Sequence, residues 1–306
     1  MARIDLSLSL CGVKLANPTI LASGFLGVSP FTLERVGRCG VGAVTMKSVG
    51  PRPWPGYPNP TVVANEEFML NAVGLPTAGY KNIEPEWEGM RKLKIPFIAS
   101  LYGTSLEEYA EVAADFAARK PPLIELDLSC PHAKKGGHQF ATNLDLARKL
   151  VEKVKAVTGR RVPVFAKLSP NCPNIGEIAA ACEAAGADGI TAINTASAMA
   201  IDIEAKCPVL YNKRGGLSGP ALKPIAVKCV YDVYEKVHIP IIATGGISTG
   251  RDAVELLMAG GTGLGIGTAI YLRGIDCFEK ICGEMEAWMK ENGYTKVKQL
   301  TGAAHE

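Results

Sequence analysis

Residues 239–268 read IPIIATGGISTGRDAVELLMAGGTGLGIGT. Two uncharged apolar runs, Ile239–Thr244 and Gly263–Gly267, flank a helix-period stretch, Asp252–Ala259, that closes on Gly260. Runs apolar on every position are what strands buried on both faces of a parallel sheet require, and the intervening helix is the crossover. Working outward from this unit, the same pattern recurs towards the amino terminus. Candidate strands are Thr19–Ser23, Ala43–Lys47, Pro96–Leu101, Leu123–Leu128, Pro163–Leu168 and Gly189–Asn194. The clearest helices between them are Leu106–Ala118, Leu144–Val157, Ile175–Ala185 and Ile225–Val237. Ser105 and Asn143 supply start signals, and Gly159 and Gly186 supply stops. Eight such units predict an α/β fold, a closed (β/α)8 (TIM) barrel over residues 1–306 as one domain. The alternative, an open doubly wound sheet, usually has fewer strands and a G-x-G-x-x-G turn after the first. Gly24–Gly27 lacks that turn.

Two regions fall outside the repeat. Ile4–Leu15 (IDLSLSLCGVKL) alternates around a glycine and predicts a β-hairpin that plugs the barrel floor. The Pro-rich stretch 50–81 is expected to be a long inserted loop walling an active site.

Composition excludes several classes. With 47% hydrophobic residues the chain is not disordered, and a formal net charge of +3 without a basic block gives no reason to expect nucleic acid. No uncharged apolar run approaches the ~20 residues needed to span a bilayer, so no membrane is expected. Nine cysteines, an odd number without a C-x-x-C pair, argue for a reducing compartment and a cytoplasmic protein, and against a zinc ribbon or iron–sulfur cluster. Cys11, Cys182, Cys229 and Cys282 are expected to be small core residues.

In a barrel of this kind the chemistry sits at the carboxyl ends of the strands. Those ends carry Ser23, Lys47, Ser100, Asp127 to Cys130, Lys167, Asn194, Gly245-Gly246 and Gly267-Thr268. Glycines after the last two strands let backbone N–H groups approach a phosphate, and the following helix N-terminus favours an anion. Lysine inside an apolar strand end costs desolvation unless an anion compensates it, which suits Lys47 and Lys167 to a bound anion such as a reduced flavin ring. Cys130, in Ser129-Cys130-Pro131-His132, lies just past its strand ahead of a glycine-bearing, lid-like segment. A thiol there could act as a base. His132 and His138 lack an acidic partner at ligand spacing, so no metal is expected.

Six segments are informative as a set: Asn71-Ala72-Val73-Gly74-Leu75-Pro76, Ser129-Cys130-Pro131, Lys167-Leu168-Ser169-Pro170-Asn171, Ile193-Asn194-Thr195, Gly215-Gly216-Leu217-Ser218-Gly219-Pro220 and Ala243-Thr244-Gly245-Gly246-Ile247. In this order they resemble the class 1 dihydroorotate dehydrogenases, from about Leu10 to Ala287. Ile201-Asp202-Ile203-Glu204 is similar to the catalytic subunit of the NAD-linked class 1B enzymes. The resemblance implies FMN at the barrel mouth and oxidation of dihydroorotate to orotate in pyrimidine biosynthesis, with Cys130 taking the C5 proton and flavin N5 the C6 hydride. It implies substrate contacts from Lys47, Asn71, Ala72, Val73, Gly74, Leu75, Asp127, Asn194 and Thr195. Flavin contacts would come from Ser23, Lys47, Ser48, Ser100, Asp127, Lys167, Ile193, Gly219, Gly245, Gly246, Gly267 and Thr268. It further implies a homodimeric core and a separate subunit carrying FAD and an iron–sulfur cluster, which passes electrons to NAD.

Three positions depart from the family pattern. Asp127 and Ser100 stand where class 1 members usually have asparagine, and His132 follows Ser-Cys-Pro in place of another. Ser-Cys-Pro-His is similar to the pyrimidine-reducing domain of dihydropyrimidine dehydrogenases. An ionised aspartate only accepts hydrogen bonds and repels an anionic substrate, so a neutral pyrimidine is one alternative. A class 1A enzyme reducing fumarate is a second alternative. A non-redox phosphate-binding barrel with a Schiff-base lysine is a third.

Overall fold

The computed structural model describes residues 4–129 and 137–305. Eight parallel strands close into a barrel: β1 (Thr19–Leu21), β2 (Ala43–Thr45), β3 (Phe97–Leu101), β4 (Leu123–Asp127), β5 (Val164–Leu168), β6 (Gly189–Ala192), β7 (Ile241–Thr244) and β8 (Gly263–Ile266). Each pairs with its sequence neighbour, and β8 returns to β1. These are the eight strands expected from sequence, trimmed at their ends. Pro96, Pro163 and Pro240 precede the ordered pairing because proline offers no N–H to the ladder. Ser23, Lys47, Asn194 and Gly267 fall just beyond the strands, in the loops of the carboxyl face.

Ten α-helices are described: α1 (Pro30–Gly37), α2 (Glu84–Arg91), α3 (Leu106–Arg119), α4 (Gly137–Thr142), α5 (Leu144–Thr158), α6 (Ile175–Ala184), α7 (Lys223–Tyr234), α8 (Gly250–Met258), α9 (Ala269–Arg273) and α10 (Cys277–Glu291). Side-chain caps start several of them. Ser105 accepts from Glu108 N, and Asn143 accepts from Leu146 N. Thr249 and Asp252 form a reciprocal capping box at α8. Gly159 caps α5, while Gly186 and Gly260 follow α6 and α8 at φ of +95° and +123°, a region that other side chains rarely adopt.

Alternation along each strand divides the molecule. Outward positions such as Val44, Ala99, Ile124, Leu126, Ala166 and Ile190 form the main core, which also includes helix residues such as Trp87 and Phe116. Inward positions at the amino ends (Ile20, Ala43, Ile98, Leu123, Phe165 and Ile242) form a separate apolar floor. The amino-terminal hairpin closes that floor, as expected: Leu8–Leu10 pairs antiparallel with Val13–Leu15, and Leu10 and Leu15 join the floor cluster. Its two-residue turn places Cys11 and Gly12 at positive φ. Cys11 is therefore an exposed turn residue and not a core residue, which corrects the reading from its apolar neighbours. Cys182 and Cys229 are buried, and Cys282 is half-buried.

The stretch 50–81 is more ordered than a loop. Val62–Ala64 and Met69–Asn71 pair with each other, and Met69–Asn71 pairs with Gly215–Ser218, which in turn pairs with Ala196–Ala198. This four-stranded antiparallel sheet is built from the insertions after β2 and β6, both at the carboxyl face. Leu70, Ala72 and Leu210 give it a small core of its own.

Candidate active site at the carboxyl face of the barrel

The period of two in β4 decides what fills the barrel above its floor. Leu123 belongs to the floor, so Glu125 and Asp127 face the same interior, one and two steps nearer the mouth. Lys167 on β5 follows Phe165 in the same way, and Thr191 on β6 and Ser100 on β3 take equivalent inward positions. Four polar side chains thus meet at a level where only 3% of Glu125 and 5% of Lys167 remains exposed. Ser100 Oγ donates to Glu125 Oε1 at 3.3 Å and Thr191 Oγ1 donates to Glu125 Oε2 at 3.0 Å. Lys167 Nζ lies 3.6 Å from Glu125 Oε1. The network continues from Ser100 to Ser48 (2.9 Å) and from Ser48 to Ser23 (3.0 Å).

Nearer the mouth, Asp127 Oδ1 accepts from Ser129 N at 3.0 Å and from Asn194 Nδ2 at 3.2 Å. Asn194 Oδ1 in turn accepts from Thr195 N at 2.8 Å. Lys47 is held below the ordinary lysine range, first by burial. The negative charge of Asp127 works against that shift, and the like charge of Lys167 adds to it. The two lysines and Asp127 therefore share one electrostatic neighbourhood.

Beside them a solvent-open cleft of about 520 Å³ is lined by Ser23, Lys167, Ile193, Asn194, Thr195, Gly219, Gly245, Gly246, Gly267 and Thr268. These ten expected site residues come together on one surface. Gly245, Gly246 and Gly219 adopt φ of +133°, +75° and +92°. A Cβ on Gly246 would lie 2.5 Å from Lys223 Cβ, and one on Gly267 would lie 2.8 Å from the Phe25 ring. Thr268 precedes α9 and donates from Oγ1 to Ser218 Oγ at 2.9 Å, tying the β8 loop to the inserted sheet.

The remaining expected residues lie elsewhere. Ser48 and Ser100 reach the cleft only through the hydroxyl chain to Ser23. Asn71 is on the inserted sheet, its Nδ2 donating to Gly216 O at 3.4 Å, and Ala72 is buried in that sheet's small core. The carbonyls of Val73, Gly74 and Leu75 accept from Tyr57 N, Trp54 Nε1 and Tyr102 OH, which fixes the segment's path. Cys130 and His132 lie outside the described residues. Among the described residues no cluster of three or more His, Cys, Asp or Glu side chains could hold a metal ion.

Sequence reasoning passed over Glu125, Thr191, Phe25 and Ser218. Glu125 carried a signal, standing two residues before Asp127 in one strand. Phe25 lies in the turn after β1, and Ser218 ends a strand of the inserted sheet whose pairing no local pattern gives.

Residues 5–289 match the family model described as dihydroorotate dehydrogenase. The chain is 44% identical to the dihydroorotate dehydrogenase B (NAD(+)) catalytic subunit of Methanocaldococcus jannaschii, covering 100% of both chains. Its identity is 46% with the subunit of that name from Methanosarcina mazei (99% of this chain, 96% of that one). With the one from Pyrococcus abyssi it is 45% (98% and 99%). The similarity is thus full-length and to the NAD-linked, class 1B kind, and the chain belongs to the dihydroorotate dehydrogenase family.

Proposed function

We propose that this chain is the catalytic subunit of an NAD-linked dihydroorotate dehydrogenase. In this reading residues 1–306 form one domain that holds FMN in the cleft and oxidises dihydroorotate to orotate for pyrimidine biosynthesis. One observation carries it: the glycine loops of β7 and β8 and the buried ammonium of Lys167 converge on a single cleft. The residues fit the cofactor. Gly245, Gly246, Gly267 and Thr268 form a cradle where backbone N–H groups approach an anion without a Cβ in the way, suited to the phosphate. Ser23, Ile193, Lys167 and Gly219 line the same cleft, the first three suited to the ring. When bound, FMN supplies the two-electron oxidant that takes the C6 hydride.

The chain's own residues supply the rest. Lys47 holds the substrate carboxylate with its charge. Asn71 through Leu75, Asn194 and Thr195 orient the ring, and Asp127 fixes Asn194 by accepting from its amide. Cys130 is the base for the C5 proton in this reading, and loss of that proton with the C6 hydride leaves the C5–C6 double bond of orotate. Electrons pass on to a partner subunit with FAD and an iron–sulfur cluster, and then to NAD. A homodimer forms the core of that assembly. The cysteine usage supports a cytoplasmic location, and no helix among the described residues is long and apolar enough to cross a membrane.

An anaerobic visible spectrum of the purified chain, before and after dihydroorotate, tests the reading. A yellow protein whose flavin band bleaches supports it. A colourless protein that cannot be reconstituted with FMN refutes it. Asp127 favours a second reading, oxidation of a neutral dihydropyrimidine, because its carboxylate repels an anion. Bleaching by dihydrouracil or dihydrothymine but not by dihydroorotate would select that one.

A further inference from the structure

Glu125 is a carboxylate that the proposed chemistry leaves without a part. It stands below Asp127 and away from solvent, a placement that is costly unless its oxygens are satisfied. Two hydroxyls donate to it, and an ammonium approaches it. The distances differ in a telling way. Thr191 is at hydrogen-bonding distance, whereas Lys167 Nζ stays at 3.6 Å, well beyond the ~2.7–2.9 Å of a charge-assisted bond. Glu125 thus compensates the charge of Lys167 without taking up its N–H groups, and Lys167 lines the cleft.

The second consequence runs through the hydroxyls. A carboxylate only accepts, so the Ser100 hydroxyl hydrogen points at Glu125. Ser100 Oγ must then accept from Ser48, and Ser48 Oγ from Ser23. Ser23 Oγ has Ser48 Oγ at 3.0 Å and the Met46 carbonyl at 3.4 Å, so its single hydrogen goes to a partner behind the cleft wall, the nearer being Ser48, and its lone pairs turn to the cleft it lines. One buried carboxylate thereby gives the cleft a cationic donor at Lys167 and an acceptor at Ser23.

We propose that Glu125 is a positioning residue which, through Lys167 and the Ser100–Ser48–Ser23 chain, sets the reduction potential of a flavin held in the cleft. The proposal rests on the flavin reading of the cleft. A reduced flavin carries negative charge, and Lys167 stabilises it. Glu125 offsets part of that cation and so disfavours reduction. Removing the negative charge makes the flavin easier to reduce.

The test is the midpoint potential of the FMN-loaded chain, measured by dye equilibration for the wild type, Glu125→Gln and Glu125→Asp. For Glu125→Gln the expected shift is positive and at least tenfold in the reduction equilibrium, about 30 mV for a two-electron couple. Glu125→Asp keeps the charge but draws it back by one methylene, so a smaller shift of the same sign is expected. It carries the test alone if the Gln variant does not fold. A merely structural role would lower thermal stability or flavin occupancy and leave the potential where it was. Variants whose potential is unchanged or more negative overturn the role of Glu125 while the flavin reading stands. A wild-type chain that takes up no flavin overturns both.

Discussion

Replacing Gly246 by alanine is expected to weaken FMN binding by roughly ten- to a hundredfold, and the structure supplies the reason. Gly246 sits at φ +75°, where an L side chain costs about 1–2 kcal/mol. The new Cβ would lie 2.5 Å from Lys223 Cβ and 2.6 Å from its Cα and N. Backbone cannot swing aside as a flexible side chain does. Lys223 is also the first residue of α7, and its Nζ is held by Asp252 at 2.9 Å and Glu255 at 2.8 Å. Restoring an ordinary carbon separation of ~3.5 Å means a retreat of about 1 Å between the β7 loop and α7. A displacement of that size removes one N–H bond to a phosphate oxygen, a charge-assisted bond of about 1.5–3 kcal/mol. The assay is fluorescence titration of apoprotein with FMN, with circular dichroism to show that the variant is folded. Gly283→Ala is the matched control. Gly283 lies in α10, and a Cβ added there would meet nothing within 4 Å, so alanine is expected to be neutral for FMN and to stabilise by about 0.5–1 kcal/mol. Wild-type FMN affinity in folded Gly246→Ala would refute the assignment of this turn to the phosphate.

Two further substitutions separate substrate electrostatics from scaffold electrostatics. Asp127→Asn keeps an oxygen for Ser129 N and Asn194 while removing a negative charge from the substrate's surroundings. At an effective dielectric of about 20, charges ~8 Å apart repel by about 2 kcal/mol. KM for dihydroorotate should therefore fall at least tenfold. The variant also frees Lys47 from the one influence that raises its pKa, so the alkaline limb of kcat/KM should move to lower pH. An unmoved limb together with an unchanged KM would count against the site. Asp252→Asn addresses stability. Burial pushes this carboxyl up, but bonds from Lys223, Thr249 and Ser248 outweigh it and hold the group below the ordinary aspartate range. A depressed carboxyl contributes stability that is full above its unfolded pKa and is lost as pH falls through the folded value. The variant should be about 2 kcal/mol less stable at neutral pH, with the gap closing below pH ~4 in urea melts run across pH. A gap that persists in acid would refute the linkage.

What could be read from the sequence follows from where burial is complete. The barrel strands are buried along almost their whole length, apolar outward against the helices and inward at the floor, so runs such as Ile241–Thr244 and Val164–Leu168 stand out. The inserted sheet does not. Val62–Ala64 and Met69–Asn71 have three residues each, too few for a period, and their partner Gly215–Ser218 lies far along the chain. Cys11 misled because apolar neighbours on a hairpin say nothing of the turn between them. At the site, Lys47, Lys167 and the glycine pairs were legible because topology alone puts strand ends on one face. Ser218 was not, because its place depends on the pairing of two insertions. Glu125 was visible by period, yet it sat inside a run counted as apolar.

The barrel's interior shows why two substitutions of the same formal charge should behave differently. Above the apolar floor closed by the hairpin stand two cations, Lys47 and Lys167, and two carboxylates, Glu125 and Asp127. Glu125→Gln and Asp127→Asn each add one positive charge to this set. If net charge governed the site, both would alter flavin and substrate alike. The contacts argue otherwise. Glu125 is enclosed by Ser100, Thr191 and Lys167 and meets the cleft only through them. Asp127 lies at the last residue of β4, bonded to Asn194 and within the field of Lys47. The first should therefore act on the flavin potential with little change in KM, and the second on KM with a smaller change in potential. That crossed pattern distinguishes a site built from placed charges from one that merely attracts anions.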